Sequence, residues 1–195
     1  MFIELTDHLR CPEAHPEAFL VLIPGAMQGR HVVDGVLGCP VCQAEYPIRA
    51  GLVEFGRVEP PPAVPGPTPP EAAGLLAFLG LEGPGGYVAL VGEAAREAGS
   101  LGALLPGVHL ALVNPPAGTV PSTCASVLHA PRFPLKQRSL RGAVVSAPWA
   151  LAPGWNDAAA DAVLPGLRAG GEGGPPAVPG FELLGTAGGW WVGRR

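Results

Sequence analysis

The sequence is poor in charged and aromatic residues, and it has no long apolar run. Charged residues make up 14% and aromatic residues 6% of the 195 residues, whereas about a quarter of a typical domain is charged. The formal net charge is −4, and no Lys/Arg run is present, which argues against nonspecific nucleic-acid binding. The best apolar run, residues 19–23, is far shorter than the ~20 residues of a membrane-spanning helix. Glu4 and Asp7 stand where a secretory signal needs positive charge, so we expect a cytoplasmic protein.

Glycine and proline are abundant instead, with 29 and 25 copies. Without a repeating period, such a content often indicates disorder. Disordered chains, however, combine low hydrophobicity with high net charge, and this chain is 48% hydrophobic. We therefore expect a folded protein whose short elements are joined by glycine- and proline-rich connections.

A proline-rich segment divides the chain into parts of different composition. Residues 58–70 contain seven prolines in thirteen positions, which is typical of a semi-rigid, extended spacer. Three of the four cysteines and three of the five histidines precede it. The sequence therefore predicts a small domain over 1–57, a linker over 58–70 and a second domain over 71–195.

The two predicted domains differ in their patterns. Residues 1–57 alternate in the manner of short strands, and Asp34-Gly35 is a typical hairpin turn. Residues 71–195 alternate between helix and strand, which predicts α/β structure with a parallel sheet covered on both faces and a C-terminal antiparallel hairpin. The strands predicted here are 87–91, 108–113, 126–129, 142–146, 181–185 and 189–193, and the helices are 70–79, 93–105 and 156–168.

Cysteines and a histidine in the first part have the spacing of metal ligands. Cys39 and Cys42 form a C-x-x-C pair that can reach one Zn²⁺ from a tight turn, and Cys11 and His15 offer a looser second pair. We predict a Cys₃His zinc site, in which His8 or His31 could replace His15. Two further interpretations are a site that is empty and cysteines that are ordinary buried or redox-active thiols. Four protein ligands leave no open position for water, so the metal would support folding rather than catalysis.

The N-terminal residues also resemble a known family. The series is Leu9-Arg10-Cys11-Pro12, then Gly38 to Cys42, then Tyr46-Pro47-Ile48 and Gly51-Leu52-Val53. Over about residues 2–56 it is similar to the small zinc-ribbon proteins that activate tRNA, rRNA and release-factor methyltransferases. Ala14 stands near the position where that family has a second cysteine. The resemblance implies a zinc ribbon that holds a methyltransferase by β-augmentation and apolar contacts.

The second part resembles a small class I, S-adenosylmethionine-dependent methyltransferase domain. The similarity lies in the order of helices and strands and in two stretches, Arg132 to Leu135 and Leu140 to Ser146, that lead into the predicted fourth strand. It implies a Rossmann-like sheet and a cofactor site at the carboxyl ends of the strands.

The predicted cofactor loop lacks the glycines that such a site needs. Only Gly92 follows strand 87–91, whereas several glycines normally let the backbone approach a nucleotide. Asn114 follows the second strand, where an acidic residue usually bonds the ribose. If S-adenosylmethionine binds, we expect Gly92, Glu93 and Asn114 to contact it. We expect no catalytic residue.

The sequence therefore favours a zinc-binding, methyltransferase-like protein that acts by protein–protein interaction and is not itself catalytic. The expected partner is a methyltransferase or a second copy of the chain. An alternative is an active methyltransferase with a divergent cofactor loop, and a third is a metal-binding module joined to an unrelated α/β domain.

Overall fold

The computed structural model describes residues 1–62 and 66–195, so residues 63–65 of the predicted linker lie outside the described residues. The fold is mixed α/β, as predicted, and one sheet of eleven strands forms its centre. The strands are β1 (Val21–Gln28), β2 (His31–Gly38), β3 (Glu45–Arg49), β4 (Leu52–Glu54), β5 (Tyr87–Val91), β6 (His109–Val113), β7 (Ala125–His129), β8 (Leu140–Val145), β9 (Val163–Glu172), β10 (Glu182–Ala187) and β11 (Trp190–Arg194). The helices are α1 (Ala72–Leu79), α2 (Ala98–Leu104) and α3 (Trp155–Ala162), with 3₁₀ turns at Ile3–His8, Gly92–Glu97 and Trp149–Leu151.

The sheet is parallel in the middle and antiparallel at both ends. Its order is β1-β2-β3-β4-β7-β6-β5-β8-β9-β11-β10. The six central strands, β4, β7, β6, β5, β8 and β9, each pair in parallel with the next strand of that series. The N-terminal strands and the C-terminal hairpin of β10 and β11 pair in antiparallel fashion. The chain order reverses between β5 and β8, which makes the carboxyl ends of these two strands a topological switch point.

The central strands are apolar along their whole length because both faces of the sheet are covered. Every residue of β5 and β6 is buried. Val88 and Leu90 point into one core with α1 and α2, and Ala89 and Val91 point into a second core on the opposite face. This is the pattern expected of parallel strands buried on both sides.

The N-terminal residues cover the second face of the sheet. The connections from β6 to β7 and from β7 to β8 contain no helix. Leu5, Leu9 and Phe55 are instead buried in the same core as Val91 and Val113. In addition, β4 pairs in parallel with β7, so strands from residues 1–57 extend the sheet of residues 71–195. The division into two domains stays a prediction.

The predicted hairpin turn at Asp34-Gly35 is wrong. Strand β2 runs straight through both residues, and Gly35 lies opposite Pro24 of β1. A Cβ atom on Gly35 would lie 2.8 Å from the carbonyl oxygen of Ile23, so this glycine permits close strand pairing rather than a turn. The turn that joins β1 to β2 contains Gly29, whose φ of +60° suits glycine.

The last predicted helix is too long. Helix α3 ends at Ala162, and the following residues begin strand β9 beside β8. Pro165 explains the difference because proline lacks the N–H that a helix interior requires. The predicted helix over 93–105 likewise begins as the 3₁₀ turn Gly92–Glu97 and becomes α-helical only at Ala98. Among the described residues, no helix is long and apolar enough to cross a membrane.

Candidate metal centre

Two turns bring the predicted metal ligands together. Strand β2 ends at Gly38, and the chain reverses between Cys39 and Gln43 before β3 begins. The N–H of Gln43 donates to the carbonyl of Cys39 at 2.9 Å, which closes this turn and directs both cysteine side chains to one side. Cys11 lies on the neighbouring segment, where its N–H donates to the carbonyl of Ala18.

The ligand atoms of Cys11, His15, Cys39 and Cys42 all lie within 4.8 Å of one another. The Sγ atoms of Cys11 and Cys42 are 3.6 Å apart, and Cys39 Sγ lies 3.4 Å from His15 Nε2. Zn–S and Zn–N bonds in a tetrahedral site imply separations of about 3.8 and 3.5 Å for such pairs. The predicted group is therefore compatible with a zinc site in both residue type and spacing.

The two alternative histidines lie elsewhere. The ring of His8 packs 4.2 Å from that of Tyr87, and the ring of His31 lies 5.5 Å from that of Phe2. His15 is also oriented as a ligand, since its Nδ1 lies 2.7 Å from the Pro16 carbonyl oxygen. A proton on Nδ1 makes this hydrogen bond and leaves Nε2 with a free lone pair facing the sulfur atoms, as is usual for metal-binding histidines. Of the three histidines considered, His15 is therefore the one placed to complete the site.

The electrostatics of the two buried cysteines differ. Burial acts to raise the pKa of the Cys39 thiol, but backbone N–H groups of Cys42 and Val41 outweigh it and bring this pKa down to about 7. Burial raises the pKa of Cys11 to about 11, against an opposing hydrogen bond from the Tyr46 hydroxyl. The C-x-x-C turn therefore stabilises negative charge by itself, whereas Cys11 depends more on a cation nearby.

The site has a buried half and an exposed half. Cys11 and Cys39 belong to the core, while Cys42 is exposed and His15 is partly exposed. A metal ion held here would lie near the surface, with its inner side against the protein core.

The segment that contains Cys11 is hydrogen-bonded to the connection between β7 and β8, which is more than 100 residues away in the sequence. The N–H of Arg10 donates to the carbonyl of Pro134 at 2.9 Å, and Arg10 Nε donates to the carbonyl of Phe133 at 3.2 Å. Sequence reasoning missed these contacts, and it also missed the bond from Tyr46 to Cys11. Tyr46 was part of the resemblance to zinc ribbons, but spacing alone gave no sign that its hydroxyl reaches a ligand.

The three residues expected to contact S-adenosylmethionine line one cleft of about 360 Å³. The cleft lies at the carboxyl ends of β5 and β6, beside the switch point, where open α/β sheets bind ligands. Gly92, Glu93 and Asn114 form one side, and Trp149 and Pro60 contribute apolar surface.

Two polar side chains of this cleft, and an N–H next to it, already bond within the protein. The Asn114 side chain exchanges two hydrogen bonds of 2.8 Å with the backbone of Ala130. The Glu93 carboxylate accepts from Arg96 at 2.5 Å. The N–H of Ala94, in the first turn after β5, donates to Ser146 Oγ at 2.7 Å. These three groups are therefore engaged with neighbouring parts of the protein.

The chain matches no model of a known protein family, and no curated protein is significantly similar to it.

Proposed function

We propose that this chain is a zinc-stabilised, methyltransferase-like protein that acts by binding a protein partner and not by catalysis. The observation that carries the proposal is the contrast between its two candidate sites. The cysteine and histidine cluster offers four converging ligand atoms, whereas Glu93 and Asn114 in the cleft at the switch point bond within the protein.

The ligand set supports zinc as the resident metal. Three thiolates and one imidazole in a tetrahedral arrangement suit Zn²⁺, which prefers sulfur and nitrogen ligands. The four positions are filled by side chains, so the ion would connect the turn at Cys11 to the turn at Cys39. Its contribution would be to stability, because binding free energy at such a site is also folding free energy.

The topology supports the methyltransferase-like part of the proposal. Counted along the second part of the chain, the strands from β7 to β9 follow the order 3-2-1-4-5, which is the doubly wound order of Rossmann-like sheets. The terminal hairpin adds an antiparallel edge, as predicted, in which β11 lies between β9 and β10. Strand β4 of the N-terminal part adds to β7 in the same chain, which is an internal case of β-augmentation.

The cleft supports a non-catalytic role. S-adenosylmethionine has ribose hydroxyls and a charged amino-acid group that need partners, and Asn114, Glu93 and Ala94 are engaged elsewhere. A Cβ atom on Gly92 would lie 2.7 Å from the carbonyl oxygen of Ala147, so the loop after β5 packs against protein. These contacts argue against this cofactor, and we assign the residues no part in a reaction.

The outer strand β1 supports a role in protein binding. The side chains of Val21 and Ile23 in β1, and of Phe19 just before it, lie at alternating positions and are 55%, 62% and 69% exposed. In the described part of the chain, β1 has a strand partner on one side only. Exposed apolar residues next to an open strand edge are typical of surfaces that bind another chain. We propose that a methyltransferase or a second copy of this protein binds here.

Calorimetric titration with S-adenosylmethionine and S-adenosylhomocysteine tests the non-catalytic part. We expect no binding heat at ligand concentrations up to about 1 mM. At that concentration even a weak complex, with a binding free energy of about −4 kcal/mol, would be detected. Zinc content measured on the same sample serves as the control for folded protein. Binding with a micromolar dissociation constant would contradict the proposal.

One observation favours the alternative, an active methyltransferase. Gly92, Glu93 and Asn114 line the same cleft at the switch point, as that hypothesis requires. If the titration shows binding, Asn114→Ala should weaken it under this alternative. The matched change Asn156→Ala, in a buried asparagine that does not line the cleft, should leave the affinity unchanged.

A further inference from the structure

A buried tyrosine contacts one of the candidate metal ligands. The hydroxyl of Tyr46 lies 3.0 Å from the Sγ atom of Cys11, and the residue is 4% exposed. Tyr46 comes from β3, next to the strand that leads into the C-x-x-C turn, while Cys11 comes from the N-terminal segment. The contact therefore links the two halves of the ligand set from inside the protein.

The direction of this hydrogen bond follows from the chemistry of a metal site. A cysteine that binds a metal does so as a thiolate, which has no proton to donate. The phenol must then donate its proton to the sulfur. A donor of this kind fixes the orientation of a ligand and stabilises its negative charge.

We propose that Tyr46 is a positioning residue of the metal centre, whose hydroxyl holds the Cys11 sulfur in its metal-binding orientation. The ring of Tyr46 packs 5.0 Å from that of Phe55, so the hydroxyl is held in place by the core. This inference rests on the proposed metal site.

The variant Tyr46→Phe removes the hydroxyl and keeps the ring. The chain contains two tyrosines, so Tyr87→Phe is a matched control: Tyr87 is also buried, and it packs against His8 and not against the metal ligands. Zinc affinity is measured by competition with a chromophoric chelator. We expect Tyr46→Phe to weaken zinc binding about tenfold to a hundredfold, as the loss of such supporting partners does at other metal sites. Tyr87→Phe should change it by less than about twofold.

The absorption spectrum of the Co²⁺-loaded protein distinguishes this role from a purely structural one, because a residue that only supported the fold would not shift its charge-transfer band. In this protein, a hydrogen bond to a thiolate stabilises the lone-pair electrons of the sulfur. More energy is then needed to transfer an electron from sulfur to metal, so the charge-transfer band lies at higher energy. We expect this band to shift to lower energy in Tyr46→Phe and to stay in place in Tyr87→Phe. Unchanged affinity together with an unchanged band would overturn the role of Tyr46. If the wild-type protein binds neither zinc nor cobalt, the metal proposal itself fails.

A second measurement retains the hydroxyl, in case Tyr46→Phe does not fold. In the Tyr87→Phe protein, Tyr46 is the one remaining tyrosine, so biosynthetic labelling with 3-fluorotyrosine alters this position alone. Fluorination makes the phenol a better proton donor. The charge-transfer band should then move to higher energy, opposite to the effect of Tyr46→Phe. A band that does not move on fluorination would contradict the hydrogen bond.

Discussion

At the scale of single residues, the fourth metal ligand shows how geometry resolves an ambiguity of the sequence. C-x₃-H is a loose spacing, and His8 and His31 lie within the same part of the chain. The structure brings His15 Nε2 to the sulfur cluster and places the other two rings against aromatic side chains. Of these three histidines, His15 is therefore the one placed to complete the ligand set.

Substitution of histidines tests this assignment. His15→Ala should weaken zinc binding by at least about tenfold, since even partners outside the ligand set contribute that much. His31→Ala should leave the affinity unchanged because its ring lies beside Phe2 and not beside the sulfur atoms. Chelator competition measures both. Equal loss in the two variants, or loss in His31→Ala alone, would contradict the assignment.

At the scale of elements, strand β1 has a different relation to the core from its neighbour β2. Most of β1 is exposed, whereas Val32 and Leu37 of β2 are fully buried. Because β1 contributes little to the core, its exposed apolar side chains are available to bind another protein. Pro24 and the adjacent bulge limit uncontrolled pairing along its outer edge.

Photocrosslinking tests β1 as the binding surface. A benzoyl-phenylalanine at Ile23 should form crosslinks to a second copy in purified protein, or to a methyltransferase in an extract of the host cell. The matched position is Leu183 of β10, which is 47% exposed at the opposite edge of the sheet. We expect few crosslinks from Leu183. If Ile23 gives no more crosslinks than Leu183 does, β1 is not the binding surface.

The elements also show which local patterns predict structure. Strands β5 and β6 were predicted nearly to the residue because a short apolar run between glycines and prolines fixes a buried strand locally. The prediction of a turn at Asp34-Gly35 was wrong because glycine is also favoured inside a strand where the backbone of the neighbouring strand leaves no room for a side chain. Local sequence does not specify that approach, which comes from the neighbouring strand.

At the scale of the whole molecule, the metal site and the central sheet share one core. Leu9, Cys11 and Cys39 are buried in the same cluster as Val91 and Val145. Strand β4 also joins the N-terminal strands to β7. Loss of the metal should therefore affect the entire chain and not residues 1–57 alone.

Calorimetry with and without a zinc chelator tests this coupling. We expect one unfolding transition in both cases, with a lower midpoint after chelation. The lost stability should be up to about 4 kcal/mol if zinc is present at a thousand times its dissociation constant. The variant Cys124→Ser, which alters a cysteine outside the cluster, should respond to the chelator as the wild type does. Two transitions, of which the chelator shifts only one, would show that the N-terminal residues fold independently.

The sequence by itself determined the α/β class, most of the strands and the candidate ligands, because short-range periodicity and the C-x-x-C spacing act over a few residues. The tertiary structure alone decided how those parts meet: His15 beside the cluster, Tyr46 against Cys11, and one sheet through both halves. These features bring together residues that are far apart in the sequence, more than 70 positions in the case of β4 and β7. No local pattern encodes such contacts. The scarcity of glycine after β5 was visible from the sequence, but only the fold shows that the Asn114 side chain and the Ala94 N–H bond within the protein.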